Sequence, residues 1–268
     1  MIGRLDLNTV RGFRWAGAVL LALASGLVGC GSGSSGGSPQ PGATSRVNGV
    51  VAKGRVSGAV VCAYRIDAGA VSSQLGNCTQ TDAQGVYQLS FDGTVDQLIV
   101  QARGGTYLDE ATGNPLDPGT LRTLPTTRPA DGIYWVAHVT PITELVVRRA
   151  IASGPLSTER INAAADEVLQ SFKIGASSTE PSDLTVRSSS ADYLGQRYGL
   201  YLAGISAMSA GSDLSTTLDA IGRDITNKTM ASRNAAFNDG VTRFLNSPRN
   251  QSGIPASDLA TFVGSRPF

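Results

Sequence analysis

Thr140-Pro141-Ile142-Thr143-Glu144-Leu145 is where the chain changes character. A proline in the first helical turn sacrifices no hydrogen bond, and a threonine before it can accept from an otherwise orphaned amide. A helix therefore starts here and is expected to run to about residue 153, where Gly154-Pro155 stops it. Upstream the chain consists of short β runs, and downstream of helical stripes. The expected fold class is α+β, a strand-built domain over 47–139 followed by a helical bundle over 140–268.

Downstream, Ile142, Leu145, Val146 and Arg149 share one side of the first helix. Ser157 caps a second, whose residues Ile161, Ala164, Ala165, Val168, Leu169 and Phe172 follow the i, i+3, i+4, i+7 spacing of a buried face. Gly175 is expected to end it, and 177–190 reads as a polar crossing loop. A third helix starts at Asp192, with Leu194, Tyr198, Tyr201, Leu202, Ile205 and Met208 turned inward. Gly195, Gly199 and Gly204 suit close helix packing; Asp192, Gln196 and Arg197 oppose membrane insertion. The tyrosines pack the core or line a groove for a glycan or peptide. Leu214, Leu218, Ile221 and Ile225 mark a fourth helix after Asp213. Phe237, Val241, Phe244 and Leu245 mark a fifth, closed by Pro248, and 257–263 a short last one. Each stripe needs a partner, hence a bundle.

Upstream, 47–53, 58–66 (GAVVCAYRI), 71–78, 86–91, 97–103 and 132–139 read as strands. Tyr87, Leu89 and Phe91 fall on one face, and Leu98, Val100 and Ala102 align likewise. Gly58-Ala59-Val60-Val61 and Thr81-Asp82-Ala83-Gln84-Gly85-Val86-Tyr87 resemble the carboxypeptidase-regulatory-like, transthyretin-like β-sandwich of bacterial surface proteins. The resemblance covers residues 47–103 and implies a Greek-key topology and a spacer or binding role. The cysteine pair is not part of its general motif. The run 104–113 (GGTYLDEATG) followed by 140–145 is similar to bacterial lipoproteins and repeat surface proteins. In those, such a hairpin precedes a TPLTTL-like helix start and a small helical domain. Ile142 and Glu144 depart from the commonest form, and the resemblance implies architecture rather than chemistry.

Leu27-Val28-Gly29-Cys30 follows an uncharged run, 16–29, and a basic segment holding Arg4, Arg11 and Arg14. At ~1.5 Å per residue the run spans roughly 21 Å, short of the roughly 30 Å hydrocarbon core, so it reads as a signal-peptide segment. The motif resembles a bacterial lipobox. That resemblance implies cleavage of a signal peptide, 1–29, and a lipidated Cys30, with more than one acyl chain giving firm membrane anchorage. Gly31 after the cysteine implies the outer membrane if the organism has one. The alternative is an ordinary secretory signal ending near a cysteine. Residues 30–46 then carry the lipid and a flexible Gly/Ser tether. Two Gly-rich matches in that tether, to a dinucleotide fingerprint and a nucleophile elbow, lack the flanking strand and helix those chemistries need.

Cys62 and Cys78 remain, an even pair suited to a disulfide in an oxidising compartment; two free buried thiols are the alternative. A net charge of +1 provides no basic stripe for nucleic acid. Asp109, Glu110, Asn114 and Asp117 lie near Gly113 and could hold calcium, although the spacing is not an EF-hand; a solvated acidic turn is the competing reading. His138 is the single histidine, placed on a strand face with Tyr134 and Val136 in a structural or surface role. No cofactor is implied, and the described chemistry is too poor for zinc. The expected function is a lipid-anchored, non-enzymatic binding or structural module of the cell envelope, its partner an envelope protein or glycan. The alternatives are an accessory subunit of an outer-membrane assembly or secretion system, and an envelope hydrolase using carboxylates such as Asp166/Glu167 or Asp109/Glu110.

Overall fold

The structure is a computed structural model and describes residues 42–127, 129–130, 133–187, 192–209 and 212–268. In chain order the strands are β1 (Thr44–Val50), β2 (Val60–Asp67), β3 (Ala70–Gln80), β4 (Val86–Asp92), β5 (Leu98–Arg103), β6 (Tyr107–Leu108), β7 (Pro115–Leu116), β8 (Thr120–Thr123) and β9 (Tyr134–Val136). The helices are α1 (Pro141–Ala152), α2 (Thr158–Ser171), α3 (Tyr193–Ser209), α4 (Leu214–Asn227), α5 (Asn234–Leu245) and α6 (Leu259–Val263). The fold is mixed α+β, strands first and helices after.

One sheet has the order β4-β1-β9, the other β3-β2-β5-β8, and β6-β7 is a separate hairpin. Alternation explains the burial. Tyr87, Leu89 and Phe91 of β4 turn inward while Val86, Gln88, Ser90 and Asp92 face solvent. In β5, Leu98, Ile99 and Val100 are buried in succession, as expected where both faces are covered. β3 and β4, edge strands of different sheets, meet at Gly76. A Cβ there would lie 2.3 Å from the Ser90 carbonyl oxygen, so only glycine permits the approach.

The switch at Thr140 is built as a reciprocal cap. The Thr140 Oγ1 accepts from the Thr143 amide (3.1 Å), and the Thr140 amide donates to the Thr143 hydroxyl (2.9 Å). The same residues tie three elements together: the Thr143 hydroxyl donates to the Arg122 carbonyl of β8 (3.0 Å), and Thr140 and Tyr198 of α3 share a hydroxyl hydrogen bond (2.7 Å). α1 packs on β8, α2, α3 and α4, so Pro141, Thr143, Glu144 and Val147 are buried along with the expected Ile142, Leu145 and Val146. A one-sided stripe underestimates this helix because it is the inner one. The buried apolar residues of strands and helices form one continuous cluster.

Several expectations are corrected. β8 lies inside the Pro/Thr-rich stretch that reads as loop. α2 ends at Ser171, before Gly175, with Lys173 in a positive-φ conformation (50°). Leu194 is 54 % exposed, because the first turn of α3 turns Gly195 inward against Glu180 and Ser182 and leaves Leu194 in water. Tyr198 and Tyr201, by contrast, pack the core as first expected, and the Tyr201 hydroxyl donates to the Pro267 carbonyl (3.0 Å). Phe172, Tyr201, Phe237 and Phe268 pack with ring centroids 5.1–5.9 Å apart, which pins the C-terminal residues into the core. Gly204 gives Phe237 its place: a Cβ there would lie 2.2 Å from the ring. Among the described residues no helix is long and apolar enough to cross a membrane.

Candidate functional site

Cys30 and the tether residues up to 41 lie outside the described residues. Cys62 of β2 and Cys78 of β3 form a disulfide, with Cα atoms 4.4 Å apart.

The acidic loop divides. Asn114 and Asp117 are exposed, and Asp117 Oδ1 accepts from the Gly119 amide (2.7 Å). Asp109 and Glu110 are buried, so a solvated turn is the wrong description for them. They face Lys53, which is 0 % exposed: its Nζ lies 3.8 Å from Asp109 Oδ1 and 3.5 Å from Glu110 Oε2. The Ser206 hydroxyl of α3 bridges the Lys53 ammonium and the Glu110 carboxylate. The Tyr107 ring packs 5.3 Å from Nζ. Asp109 Oδ2 takes the Thr112 amide and hydroxyl (both 2.8 Å), and Arg249 donates to the carbonyls of Glu110 and Ala111. Buried charges persist only when paired and hydrogen-bonded, and here the pairing joins the β6-β7 hairpin to α3. Among the described residues no three His, Cys, Asp or Glu side chains converge as metal ligands.

His138 is also corrected. Tyr134 and Val136 are exposed, but β9 ends at Val136 and the alternation breaks, so Ala137, His138 and Val139 are all buried. His138 Nδ1 accepts from the Val50 amide (3.3 Å), and the ring also bonds the Ser178 backbone. Burial holds its pKa below the ordinary value; nearby Glu180 and the bond to the Ser178 backbone work the other way, and Arg55 adds to the lowering. Above about pH 6.5 the imidazole is neutral in both folded and unfolded chains. As pH falls below that, the unfolded chain takes up a proton that the folded one refuses. Stability should then decline by at most about 1.4 kcal/mol per pH unit until the folded value is reached. Chemical denaturation at pH 7 and pH 5 should show a smaller decline for His138→Gln, which keeps an acceptor but does not titrate. Parallel declines would remove His138 as the cause.

The remaining carboxylate pair does not converge either. Asp166 is exposed, while Glu167 takes Arg149 Nε at 2.6 Å.

A third cluster has no counterpart in the sequence reading. Buried Glu144 receives Arg122 through Nε (3.0 Å) and Nη2 (2.7 Å), and Arg148 through Nε (2.8 Å). The hydrogen bond to Glu144 raises the Arg122 pKa against the opposing effect of burial. Arg148 reaches on to Asp219 (2.6 Å) and to the Ser215 hydroxyl (3.1 Å) of α4. Two adjoining cavities flank this cluster. One of about 380 Å³ is the more polar of the two, with Gln101, Arg122, Arg148 and Asp213 in its wall. The other, about 470 Å³, runs between α1, α2 and α4 over Leu145, Val168, Leu218 and Ile225, with Arg148, Arg149 and Arg223 at its rim. Arg148 and Leu218 belong to both. The second has the size and mostly apolar lining of a small-molecule site. Its residues come from three helices, so no single stretch announces it.

No family model matches the chain, and no curated protein does. Among solved structures, the chain is similar to the major plantain pollen allergen at 20 % identity, over 37 % of this chain and 90 % of that one, with a TM-score of 0.25. It is also similar to a 9R-lipoxygenase from Cyanothece PCC8801 at 13 % identity and a TM-score of 0.23, over 52 % of this chain but only 27 % of the lipoxygenase. At these scores neither likeness bears on fold family or function.

Proposed function

We propose that the protein is a lipid-anchored component of the cell envelope, acting as a non-enzymatic binding or structural module. The observation that carries this is Leu27-Val28-Gly29-Cys30, preceded by an uncharged run and a basic segment. The disulfide between Cys62 and Cys78 supports an oxidising compartment, since such bonds persist outside the reducing cytosol. Gly31 supports the outer membrane in a Gram-negative host. Under this reading the β half serves as a transthyretin-like spacer or binding module and the helical half carries the contact with an envelope protein or glycan.

The test is metabolic labelling with a tagged palmitate, followed by membrane fractionation. The expected result is label on the chain cleaved before Cys30, of which the amide-linked part withstands alkaline hydroxylamine while the part on the glycerol esters is released. Cys30→Ser should lose both the label and the membrane association. Unlabelled chain, or a Cys30→Ser variant that stays on the membrane, would overturn the proposal.

A further inference from the structure

The groove between α1, α2 and α4 has a floor and a rim of different chemistry. Its floor is aliphatic, from Leu145, Val168, Leu218 and Ile225. Gly222 keeps it open: a Cβ placed there would meet only Leu145 Cδ2, at 3.7 Å. A glycine within a 14-residue helix lowers helix stability by about 1 kcal/mol relative to alanine, with no close approach of another chain segment to require it.

The rim carries three arginines and the carboxylate of Asp219. Two of the arginines are already engaged: Arg148 with Glu144 and Asp219, and Arg149 with Glu167. Arg223 is exposed and has no acidic partner among the described residues. The polar cavity next to the groove is less suited to an anion, since Asp117 and Asp213 both stand in its wall. The uncompensated cation therefore lies at the rim of the aliphatic groove, not in the polar cavity.

We propose that this groove binds a long-chain carboxylate, its acyl chain lying over Leu145, Val168, Leu218 and Ile225 and its carboxylate paired with Arg223. An aliphatic chain gains by leaving water for the groove, and a guanidinium matches a carboxylate with two parallel hydrogen bonds. The inference does not rest on the anchor at Cys30, because it concerns α1, α2 and α4 alone.

The test uses the purified full chain and a photoactivatable palmitate below its micellar concentration as probe. Crosslinked peptides are mapped by mass spectrometry. Labelling should be saturable, fall on 141–152, 158–171 and 214–227, and be competed by unlabelled palmitate better than by hexadecanol. Gly222→Leu fills the groove and should reduce labelling more than tenfold while leaving the melting temperature unchanged or raised. Arg223→Gln should weaken competition by palmitate about fivefold, the scale of an exposed charge pair, and leave competition by hexadecanol unchanged. Labelling elsewhere, labelling indifferent to Gly222→Leu, or equal competition by the alcohol would each overturn the proposal. So would concentration-dependent self-association that Gly222→Leu abolishes, since the face would then belong to a second copy. A wild-type chain that carries no lipid on Cys30 but gives the same crosslink map would fail the anchor reading and leave this one standing.

Discussion

Replacing Lys53 with alanine should destabilise the fold by about 3–5 kcal/mol. Lys53 is completely enclosed, and both carboxylates facing it are buried. Removing the ammonium leaves Glu110 with the Ser206 hydroxyl as its side-chain partner, and Asp109 with Thr112. Both negative charges then sit in a low-dielectric region with no cation opposite. Whole domains are stable by only about 5–15 kcal/mol, so the loss is a large fraction of the total. Urea denaturation followed by circular dichroism measures it. The companion variant Lys53→Met/Glu110→Leu removes the cation and one of its two carboxylates and should recover part of the loss, because Glu110 no longer carries an unmatched charge while Asp109 keeps its hydrogen bonds from Thr112. A loss below 1 kcal/mol for Lys53→Ala, or an equal loss for the double variant, would show that the charges do not act as a pair.

The second large effect concerns the disulfide. Replacing Cys62 and Cys78 together by serine should lower stability by about 3 kcal/mol, which for a domain of this size is about 6–12 °C in melting temperature. The bond does more than close a loop of sequence separation 16. Val61 pairs with Thr79 and Ala63 with Leu75, so Gly76, Asn77 and Cys78 on β3 together face Cys62 alone. This bulge brings Gly76 against the Ser90 carbonyl of β4, and the disulfide holds it there. Differential scanning calorimetry of the wild type with and without reductant gives a second measure. Cys78 is exposed, so reductant should reach the bond and reproduce the melting point of the double serine variant. A double variant melting within 2 °C of the wild type would mean the bulge closes without covalent help.

Both predictions concern residues whose importance differs greatly in visibility. The cysteine pair is legible because the residue type is rare and the count is even. Lys53 is not, since a lone lysine at the end of an apolar strand reads as a solvent-facing terminus. Its burial depends on the β6-β7 hairpin and α3 arriving over it, from sequence separations of 57 and 153 residues. The same limit hid Glu144. Within its own helix it looks like an exposed first-turn carboxylate, favourable near a helix N-terminus. It is enclosed because β8, four residues inside a proline- and threonine-rich stretch, packs against α1 and supplies Arg122.

Periodicity and capping are local properties, and they placed the β-to-α switch at Thr140, the helix caps at Ser157 and Asp213, and the inward faces of β4 and α2. Each follows from backbone geometry acting over a few residues. Long-range assembly had no such signal. The break in alternation that buries His138, the enclosure of Lys53 and the groove framed by α1, α2 and α4 all arise where separate elements meet. Their energetics come from desolvation and charge pairing across that distance, and only the tertiary structure decides which side chains are removed from water together.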